Sequence, residues 1–408
     1  MSQPEPALKK IASVRMASVI QSMQIVAKTK NVSTTKQLRE MIGLRYGPGK
    51  LAPHEYYRFR AYDPTLSRDK KRAFVGANAG RALNQSLSAS ANYASSYVLD
   101  DKGVFLSLMA ATGLPVTHTQ AFFSKTRLID RWLQLHSADE ISTFLKTKAR
   151  YPIYGKPSDG SHSLGSILIE GIDSDGTLRL LHNAPGPHVD ALAAEIAANF
   201  ATGYFFQDRH VLSKNARQLC PDAFGSLRVV TILGEDNRPE LLYSIWRAPE
   251  AGAYTELAKG KWMLRCLIDP ASSKIVRATL SGGVTLQELD THPTTNTRIP
   301  GFHIEQFPDS VALALRAHRV LPHLGLIGWD IGMTEAGPVL IEGNPTPFHS
   351  IYQLSAFQGL MNPDFAPRLL RLQQQAQAAN LLEKNRKAAA DSGLYKEMIA
   401  LERGKLKT

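Results

Sequence analysis

Apolar and polar positions follow two different periodicities along this chain, and each predicts one kind of element. Apolar residues at helical spacing indicate amphipathic helices, whereas short apolar or alternating runs between turn formers indicate strands. The helical pattern covers residues 7–30, 34–42, 70–97, 101–111, 138–148, 309–323 and much of 367–407. The strand pattern covers residues 151–156, 165–170, 177–182, 227–233, 240–246 and 262–268.

Two further apolar runs late in the chain flank turn formers that centre on Ala336, which predicts a β-hairpin. In that hairpin Asp330 faces Glu342, and Leu340, Glu342 and Asn344 share one face. Like charges directly across a strand pair destabilise it, so a cation is expected between them. Two carboxylates and an amide oxygen suit Mg²⁺, and the lack of His or Cys disfavours zinc. An ordinary hairpin with one exposed acid on each strand also fits the pattern.

A loop rich in glycine and serine follows Lys156 and runs to Gly165. Small residues let backbone N–H groups approach an anion, and the lysine adds a positive charge at the base of the loop. The lysine precedes the glycines, so this is not a Walker loop. Alone, the loop also fits a plain strand connection. Combined with the acidic hairpin it predicts a nucleoside triphosphate site, in which a metal ion and a lysine share the phosphates.

The composition is that of a globular protein, with 408 residues, 43% hydrophobic and 21% charged. This length predicts two or three domains or subdomains. No apolar run approaches the roughly 20 residues that cross a bilayer, and no secretory apolar core is present, so a cytoplasmic location is expected. Cys220 and Cys266 are expected to be buried thiols.

The net charge of +12 is concentrated at the two ends of the chain. Residues 1–72 hold 15 lysines and arginines against 5 acids, and residues 367–408 hold 9 against 4. The middle of the chain is therefore slightly acidic, which disfavours nucleic acid as the partner. Basic ends favour an acidic partner or a membrane surface, but they equally fit solvated helical faces.

Several stretches, in their order along residues 57–355, resemble the ATP-grasp superfamily and, within it, the sugar-transfer-associated ATP-grasp family. They are residues 99–102, 113–116, 155–160, 226–231, 290–295, 328–330 and 342–344. The resemblance implies an α+β protein with the ATP-grasp fold, in which two α+β lobes grip ATP. Residues 98–203 would form the small lobe with the phosphate loop, and 204–366 the large lobe with the Mg²⁺ hairpin. A basic, mainly helical region at 1–97 and a helical tail at 367–408 would flank them.

The resemblance also implies roles for individual residues. For the nucleotide these are Lys102 and Lys156 at the phosphates, Gly160, Ser161 and Gly165 in the closing loop, and Gln207 and Asp208 at the hinge near adenine and ribose. For catalysis they are Arg228 near the γ-phosphate or acyl phosphate, and Asp290 and His292 on the acceptor side, with His292 a candidate general base. For Mg²⁺, or alternatively Mn²⁺, they are Asp330, Glu342 and Asn344. Ser163 and Gln207 depart from the glycine and glutamate usual at their positions.

The activity implied by the resemblance is that of an ATP- and Mg²⁺-dependent ligase. Such an enzyme activates a small-molecule carboxylate as an acyl phosphate, which an amine or similar nucleophile then attacks. The family name points to cell-envelope or polysaccharide metabolism. Two alternatives stay open: a kinase acting on a small molecule or sugar with the same ATP site, and a non-catalytic nucleotide-binding partner protein.

Overall fold

The structure is a computed structural model that describes residues 8, 18–159, 165–221, 223–249, 263–282, 285–391, 397 and 400–401. Within these residues, fourteen strands form two seven-stranded sheets. The strands are β1 Thr119–Phe123, β2 Leu133–Leu135, β3 Ile153–Pro157, β4 Ile167–Ile172, β5 Thr177–Leu180, β6 Ala184–His188, β7 Tyr204–Asp208, β8 Ser226–Leu233, β9 Pro239–Pro249, β10 Met263–Asp269, β11 Lys274–Gly282, β12 Thr285–Glu288, β13 Leu326–Thr334 and β14 Gly337–Asn344.

Helices surround the sheets and form the N-terminal region. They are α1 Val19–Lys30, α2 Thr34–Arg45, α3 Pro53–Arg58, α4 Arg68–Arg72, α5 Ala77–Ser86, α6 Ser90–Tyr93, α7 Tyr97–Asp100, α8 Lys102–Ala111, α9 Ala138–Thr147, α10 Val189–Asn199, α11 Lys214–Arg217, α12 Phe307–Val320, α13 Ser350–Ala356 and α14 Ala366–Asp391. Among the described residues, no helix is long and apolar enough to cross a membrane.

The small-lobe sheet has the order β2-β1-β7-β3-β4-β5-β6. Its strands pair antiparallel except for β1 and β2, which are parallel. Amphipathic helix α9 buries Ile141, Phe144 and Leu145 against this sheet, in a core that it shares with α10. The Ser137 side chain accepts a hydrogen bond from the backbone N–H of Glu140, which caps the start of α9.

The large-lobe sheet has the order β12-β11-β10-β9-β8-β13-β14 and is antiparallel throughout. One of its faces packs against α12 through a core that contains Trp246, Trp329 and Ile331. Helix α8, which the sequence assigns to the small lobe, packs on the edge strand β14 of this same sheet. A Cβ atom on Gly343 would lie 2.6 Å from Leu99 Cδ2 of α7 and 3.3 Å from Phe105 Cε2 of α8, so glycine permits the close approach of both helices.

The N-terminal region has its own hydrophobic cluster, formed by α1, α2, α3 and the segment that follows them. Tyr56 and Tyr57 are buried in it, and the Tyr56 hydroxyl donates to Glu40, 2.7 Å away. Lys71 pairs with the same carboxylate at 2.9 Å. Tyr56 and Tyr57 therefore form part of the hydrophobic core of the N-terminal region.

The predicted hairpin is confirmed: β13 pairs antiparallel with β14, and Asp330 lies opposite Glu342. The predicted face of Leu340 is wrong, because a β-bulge shifts the register between Asp330 and Ile331. Leu340 consequently pairs with Ile331 and is buried in the core. Both cysteines are buried free thiols, as predicted.

Other elements differ from the sequence pattern. The single helical pattern over residues 70–97 is divided among α4, α5, α6 and α7, and helix α10 was not predicted. The described part of the first helix begins at Val19, and α14 extends over 26 residues.

Candidate active site

Asp330 is buried at the centre of a cluster of charged side chains on the large-lobe sheet. Its carboxylate accepts hydrogen bonds from Arg228 Nε and, at 3.0 Å, from Arg228 Nη2. Arg247 Nη2 lies 2.9 Å from Asp330 Oδ1. Burial alone would raise the pKa of Asp330, but the guanidinium groups of Arg228 and Arg247 outweigh it and lower that pKa. The positive charge that the sequence led us to expect beside Asp330 is thus supplied in part by two arginines.

Lys156 and Lys102 lie close to the two acids of the hairpin. Lys156 is buried near the end of β3, and Lys102 Nζ donates to the carbonyl oxygen of Ser158 over 3.4 Å. Burial, and then the charge of Lys102, lower the pKa of Lys156 to about 8, whereas Glu342 and Asp330 act to raise it. Lys156 therefore lies within electrostatic reach of three other residues predicted from the sequence, namely Lys102, Asp330 and Glu342.

The position of Lys102 follows from the cap of its helix. Asp101 accepts hydrogen bonds from the backbone N–H groups of Gly103 and Val104, at 2.9 and 3.1 Å, and so fixes the first turn of α8. Its other oxygen pairs with Arg127 at 2.7 Å. Because α8 rests on β14, this cap places Lys102 beside the acidic hairpin.

Glu342 and Asn344 have oxygen lone pairs that are available to coordinate a cation. Glu342 is half-buried and makes no hydrogen bond or ion pair with the described residues. The amide nitrogen of Asn344 is buried without a hydrogen-bond partner. Amide oxygen and nitrogen are interchangeable on turning the side chain, so the oxygen can point toward a cation instead. Asp330 Oδ2 accepts one hydrogen bond and keeps a lone pair. The three side chains fit a divalent ion, although no cluster of three or more His, Cys, Asp or Glu ligands occurs in the described chain.

The structure describes the predicted phosphate loop only at its ends. Gly160 and Ser161, together with Ser163, lie outside the described residues. Gly165 has φ +73°, and a Cβ there would lie 2.6 Å from the ring of Phe200. Its carbonyl oxygen accepts the Tyr204 hydroxyl at 2.8 Å. Glycine is therefore required where the loop rejoins β4.

The two residues predicted at the hinge, Gln207 and Asp208, lie at the end of β7, and other side chains contact both. Gln207 is buried, and its amide donates to the hydroxyls of Thr117 and Thr119, each at 2.9 Å. Asp208 accepts from Gln120 at 2.6 Å and lies 3.0 Å from His118. These contacts tie the strand to the segment that leads into β1.

Asp290 and His292 lie in a loop of their own. His292 is buried, and its Nδ1 accepts the backbone N–H groups of Thr294 and Thr295 at 3.3 and 3.2 Å. Burial lowers the pKa of His292. Thr297 in the same loop donates to the carbonyl oxygen of Gln218 at 3.0 Å. The described hydrogen bonds of His292 therefore organise this loop.

Two residues near the cluster were missed in the sequence. Arg247 lies in an otherwise apolar stretch of β9, and a charged residue within such a strand is the signal that could have identified it. His210 follows the hinge by two residues. Burial and the charge of Lys156 lower its pKa, whereas Asp208 raises it, so His210 lies within electrostatic reach of Lys156.

Two seven-stranded sheets with helices, and two lysines that lie close to an acidic hairpin, are the arrangement of an ATP-grasp protein. The chain belongs to the sugar-transfer associated ATP-grasp family, whose model matches residues 82–365.

Solved structures with a similar arrangement include ligases of low sequence identity. The D-Ala:D-Ser ligase VanG from Enterococcus faecalis is 13% identical with a TM-score of 0.41, over 68% of this chain and 63% of that one. The D-alanine-D-alanine ligase from Coxiella burnetii is 10% identical with a TM-score of 0.38, over 72% and 63%. The ADP complex of purK, N5-carboxyaminoimidazole ribonucleotide synthetase, is 11% identical with a TM-score of 0.35, over 62% and 46%. This chain spans less than two thirds of each of the three. Comparison with curated protein sequences gives no match.

Proposed function

We propose that the chain is an ATP- and Mg²⁺-dependent ligase that joins a carboxylate to an amine or similar nucleophile. The observation that carries this proposal is the proximity of buried Lys156 to Lys102 and to the two acids Asp330 and Glu342. Such a site suits a polyphosphate, because the cations take up the phosphate charge and the acids hold a divalent ion. The family description associates its members with sugar transfer, so we place the substrates among envelope or polysaccharide building blocks.

In the first step a carboxylate oxygen of the substrate attacks the γ-phosphorus of ATP. The bond from that phosphorus to the bridging oxygen breaks, and ADP leaves with the electron pair. Lys102 and Lys156 stabilise negative charge on the phosphates as it moves. A Mg²⁺ ion held by Glu342, Asn344 and Asp330 would add Lewis-acid stabilisation of the same charge. Gln207 and Asp208 would lie beside the adenine and ribose, and Gly165 at the end of the covering loop.

In the second step the amine nitrogen attacks the carbonyl carbon of the acyl phosphate. The C–O bond to phosphate breaks, phosphate leaves with that oxygen, and the proton lost by the amine passes to the departing phosphate. Arg228 would stabilise the tetrahedral oxyanion, and its bidentate contact with Asp330 fixes the direction of the guanidinium. His292 Nδ1 accepts two backbone N–H groups, so the neutral ring carries its proton on Nε2. With the proton on Nε2 in this arrangement, we assign the amine proton to the departing phosphate rather than to the candidate general base His292.

An isotope experiment separates this reaction from its alternatives. The protein is incubated with ATP, Mg²⁺ and a panel of ¹⁸O-labelled carboxylates with amines. A ligase transfers one ¹⁸O atom to inorganic phosphate, because the attacking oxygen leaves with the phosphoryl group. A kinase forms ADP with a stable phosphorylated product and no labelled phosphate. A nucleotide-binding partner protein binds ATP without turnover, and either of the last two results would overturn the proposal.

The metal assignment has its own test in Glu342→Gln. This change removes a ligand charge that no described residue pairs with, so we expect ATP turnover to fall by roughly 10²-fold or more while the protein stays folded. Glu305→Gln, at an exposed glutamate of the large lobe, is the matched control. Unchanged turnover and unchanged Mg²⁺ dependence in Glu342→Gln would show that the assignment is wrong.

A further inference from the structure

An apolar stripe lies on the outer face of α2. It consists of Leu38, Ile42 and Tyr46, which are 51%, 53% and 86% exposed. Each is four residues from the next, so they lie one above the other on a single side of the helix. Single exposed apolar side chains need no explanation, whereas neighbouring ones on one face mark an interaction site. The family match begins at residue 82, so this face lies outside the matched part of the chain.

The opposite face of α2 is fixed to the rest of the N-terminal region. It buries Gln37, Met41 and Leu44. The Gln37 amide donates to the carbonyl oxygens of Met23 and Val32, at 3.2 and 2.7 Å. Turning α2 to bury the apolar stripe would break these hydrogen bonds and expose the buried side chains. The stripe is therefore held at the surface of the protein.

The same two helices, α1 and α2, expose many cations. Residues 18–50 are all described, and they contain six lysines and arginines against one acid. Arg39 and Arg45 border the apolar stripe, one on each side, because successive residues of a helix are about 100° apart. All six cations are exposed, namely Lys28, Lys30, Lys36, Arg39, Arg45 and Lys50.

The one acid of this part of the chain is neutralised inside the protein. Glu40 is half-buried, accepts the Tyr56 hydroxyl at 2.7 Å and pairs with Lys71 at 2.9 Å. Lys71 is itself buried. The exposed surface of α1 and α2 therefore combines apolar side chains with positive charge that no acid between residues 18 and 50 offsets.

We propose that the exposed surface of α1 and α2 binds a membrane surface that contains anionic lipids. Such a surface presents phosphates to the cations and, just below them, acyl chains to Leu38 and Ile42. Tyr46 suits the boundary between the two layers, because its ring is apolar and its hydroxyl is polar. The proposal goes beyond the ligase function and does not depend on it.

Charge and polarity favour a membrane over other partners. A second copy of this chain, related by two-fold symmetry, would bring the same cations against each other. Nucleic acid offers phosphates but little apolar surface for the aliphatic side chains of the stripe. Anionic lipid supplies both kinds of contact in one partner.

Binding is measured with the full chain by sedimentation with vesicles. Vesicles of phosphatidylcholine alone are compared with vesicles of phosphatidylcholine and phosphatidylglycerol. We expect binding to the mixed vesicles that salt weakens, and much weaker binding to phosphatidylcholine alone. Double-stranded DNA or polyglutamate is then added at the same concentration of negative charge as the lipid. The protein should remain with the vesicles, because these polymers match only the cations.

A first double variant tests the cations. Arg39→Gln with Arg45→Gln should weaken binding to the mixed vesicles by about 10-fold or more, at roughly fivefold per cation. Arg316→Gln with Arg319→Gln, at exposed positions of α12, lowers the net charge by the same amount and should leave binding unchanged within about twofold. This pair of variants separates the local surface from the overall charge of the chain.

A second double variant tests the apolar stripe. Leu38→Ser with Ile42→Ser should weaken binding by about 10-fold or more, because two apolar side chains no longer enter the lipid. Leu128→Ser with Val276→Ser, at positions 66% and 52% exposed, is the matched control and should bind as the wild type does. Circular dichroism confirms that each variant is folded.

Three results would overturn the proposal: equal binding to both kinds of vesicle, wild-type binding by both the arginine and the apolar double variants, or displacement from the mixed vesicles by DNA or polyglutamate. The last result would assign the surface to nucleic acid or to an acidic protein instead.

Discussion

The two sheets differ in whether their charged side chains at the candidate active site are paired. On the large-lobe sheet, Asp330 is already paired with Arg228 and Arg247. On the small-lobe sheet, Lys156 is buried yet makes no hydrogen bond or ion pair with the described residues. The Asp330 carboxylate therefore has its counter-charges within the large-lobe sheet, whereas buried Lys156 has no direct partner among the described residues, and we propose that a ligand supplies its counter-charge. We expect the charges around Asp330 to contribute to both stability and function, and Lys156 to contribute to function at a cost to stability.

The largest expected effect comes from removing Asp330, which pairs with both Arg228 and Arg247 on the large-lobe sheet. Asp330→Ala leaves two buried guanidinium groups without their shared acceptor, which we expect to lower the free energy of unfolding by about 3–5 kcal/mol. Urea denaturation followed by circular dichroism measures it. Asp130→Ala, at an exposed acid of the small lobe, should leave stability unchanged. A stable Asp330→Ala protein would contradict the view that this sheet holds its own charge balance.

The converse change is Lys156→Met on the small lobe. A buried lysine without an ion pair opposes folding, so methionine should preserve or increase the free energy of unfolding. ATP turnover should nevertheless fall by about 10²–10³-fold, because phosphate charge loses a preorganised cation. Lys148→Met, at an exposed lysine, is the control for both measurements. Should Lys156→Met prove strongly destabilised, the contrast between the two sheets would not hold.

The pH dependence of stability sharpens the contrast. The pKa of Lys156 falls from its ordinary value of 10.5 to about 8 in the folded chain. Between these values the unfolded chain binds one more proton than the folded chain, so stability rises with pH, by up to about 1.4 kcal/mol per pH unit. Below pH 8 both states are protonated and the penalty for burying the charge is fully present. The free energy of unfolding of the wild type minus that of Lys156→Met should therefore increase from pH 8 to pH 10, and a constant difference would refute the lowered pKa.

A smaller effect is expected at the helix cap that sets Lys102. Asp101→Ala removes the acceptor for two backbone N–H groups and should lower the free energy of unfolding by about 1 kcal/mol. The affinity for ATP should fall several-fold as well, since the first turn of α8 loosens. Ser33→Ala removes the cap of α2, where the serine accepts the N–H of Lys36 at 3.3 Å, and should reduce stability without changing ATP affinity. Equal ATP affinities in the two variants would show that Lys102 does not contact the nucleotide.

The sequence predicts elements well where local pattern and local contacts agree. The β13–β14 pairing follows from turn formers between two apolar runs, and the register of Asp330 against Glu342 follows from the centre of the turn. The division of residues 70–97 into several helices depends instead on packing among distant parts of the chain, for example Ser88 Oγ accepting the N–H of Gly325 at 2.8 Å.

The site shows the same limit. Asp330 and Glu342 were identified from the hairpin pattern and Lys156 from the loop that follows it, and Lys102 was added by the resemblance to a family. The engagement of Asp330 by Arg247 was not, because it depends on a register across three strands, β9, β8 and β13, that no local pattern encodes. The hydrogen bonds of His292 within its loop likewise require the loop conformation, which composition alone does not provide.

The bulge in the hairpin has a consequence for how this segment tolerates changes in length. Ile341 is the residue that β13 leaves unmatched, since Leu340 pairs with Ile331 and Glu342 with Asp330 on either side of it. Removing Ile341 would restore a regular ladder with both pairs intact. Removing any other single residue between Leu340 and Asn344 would displace a core or ligand side chain from its partner. Deletion of one residue is therefore compatible with the strand pairing at position 341. Deletion of a neighbouring residue is not.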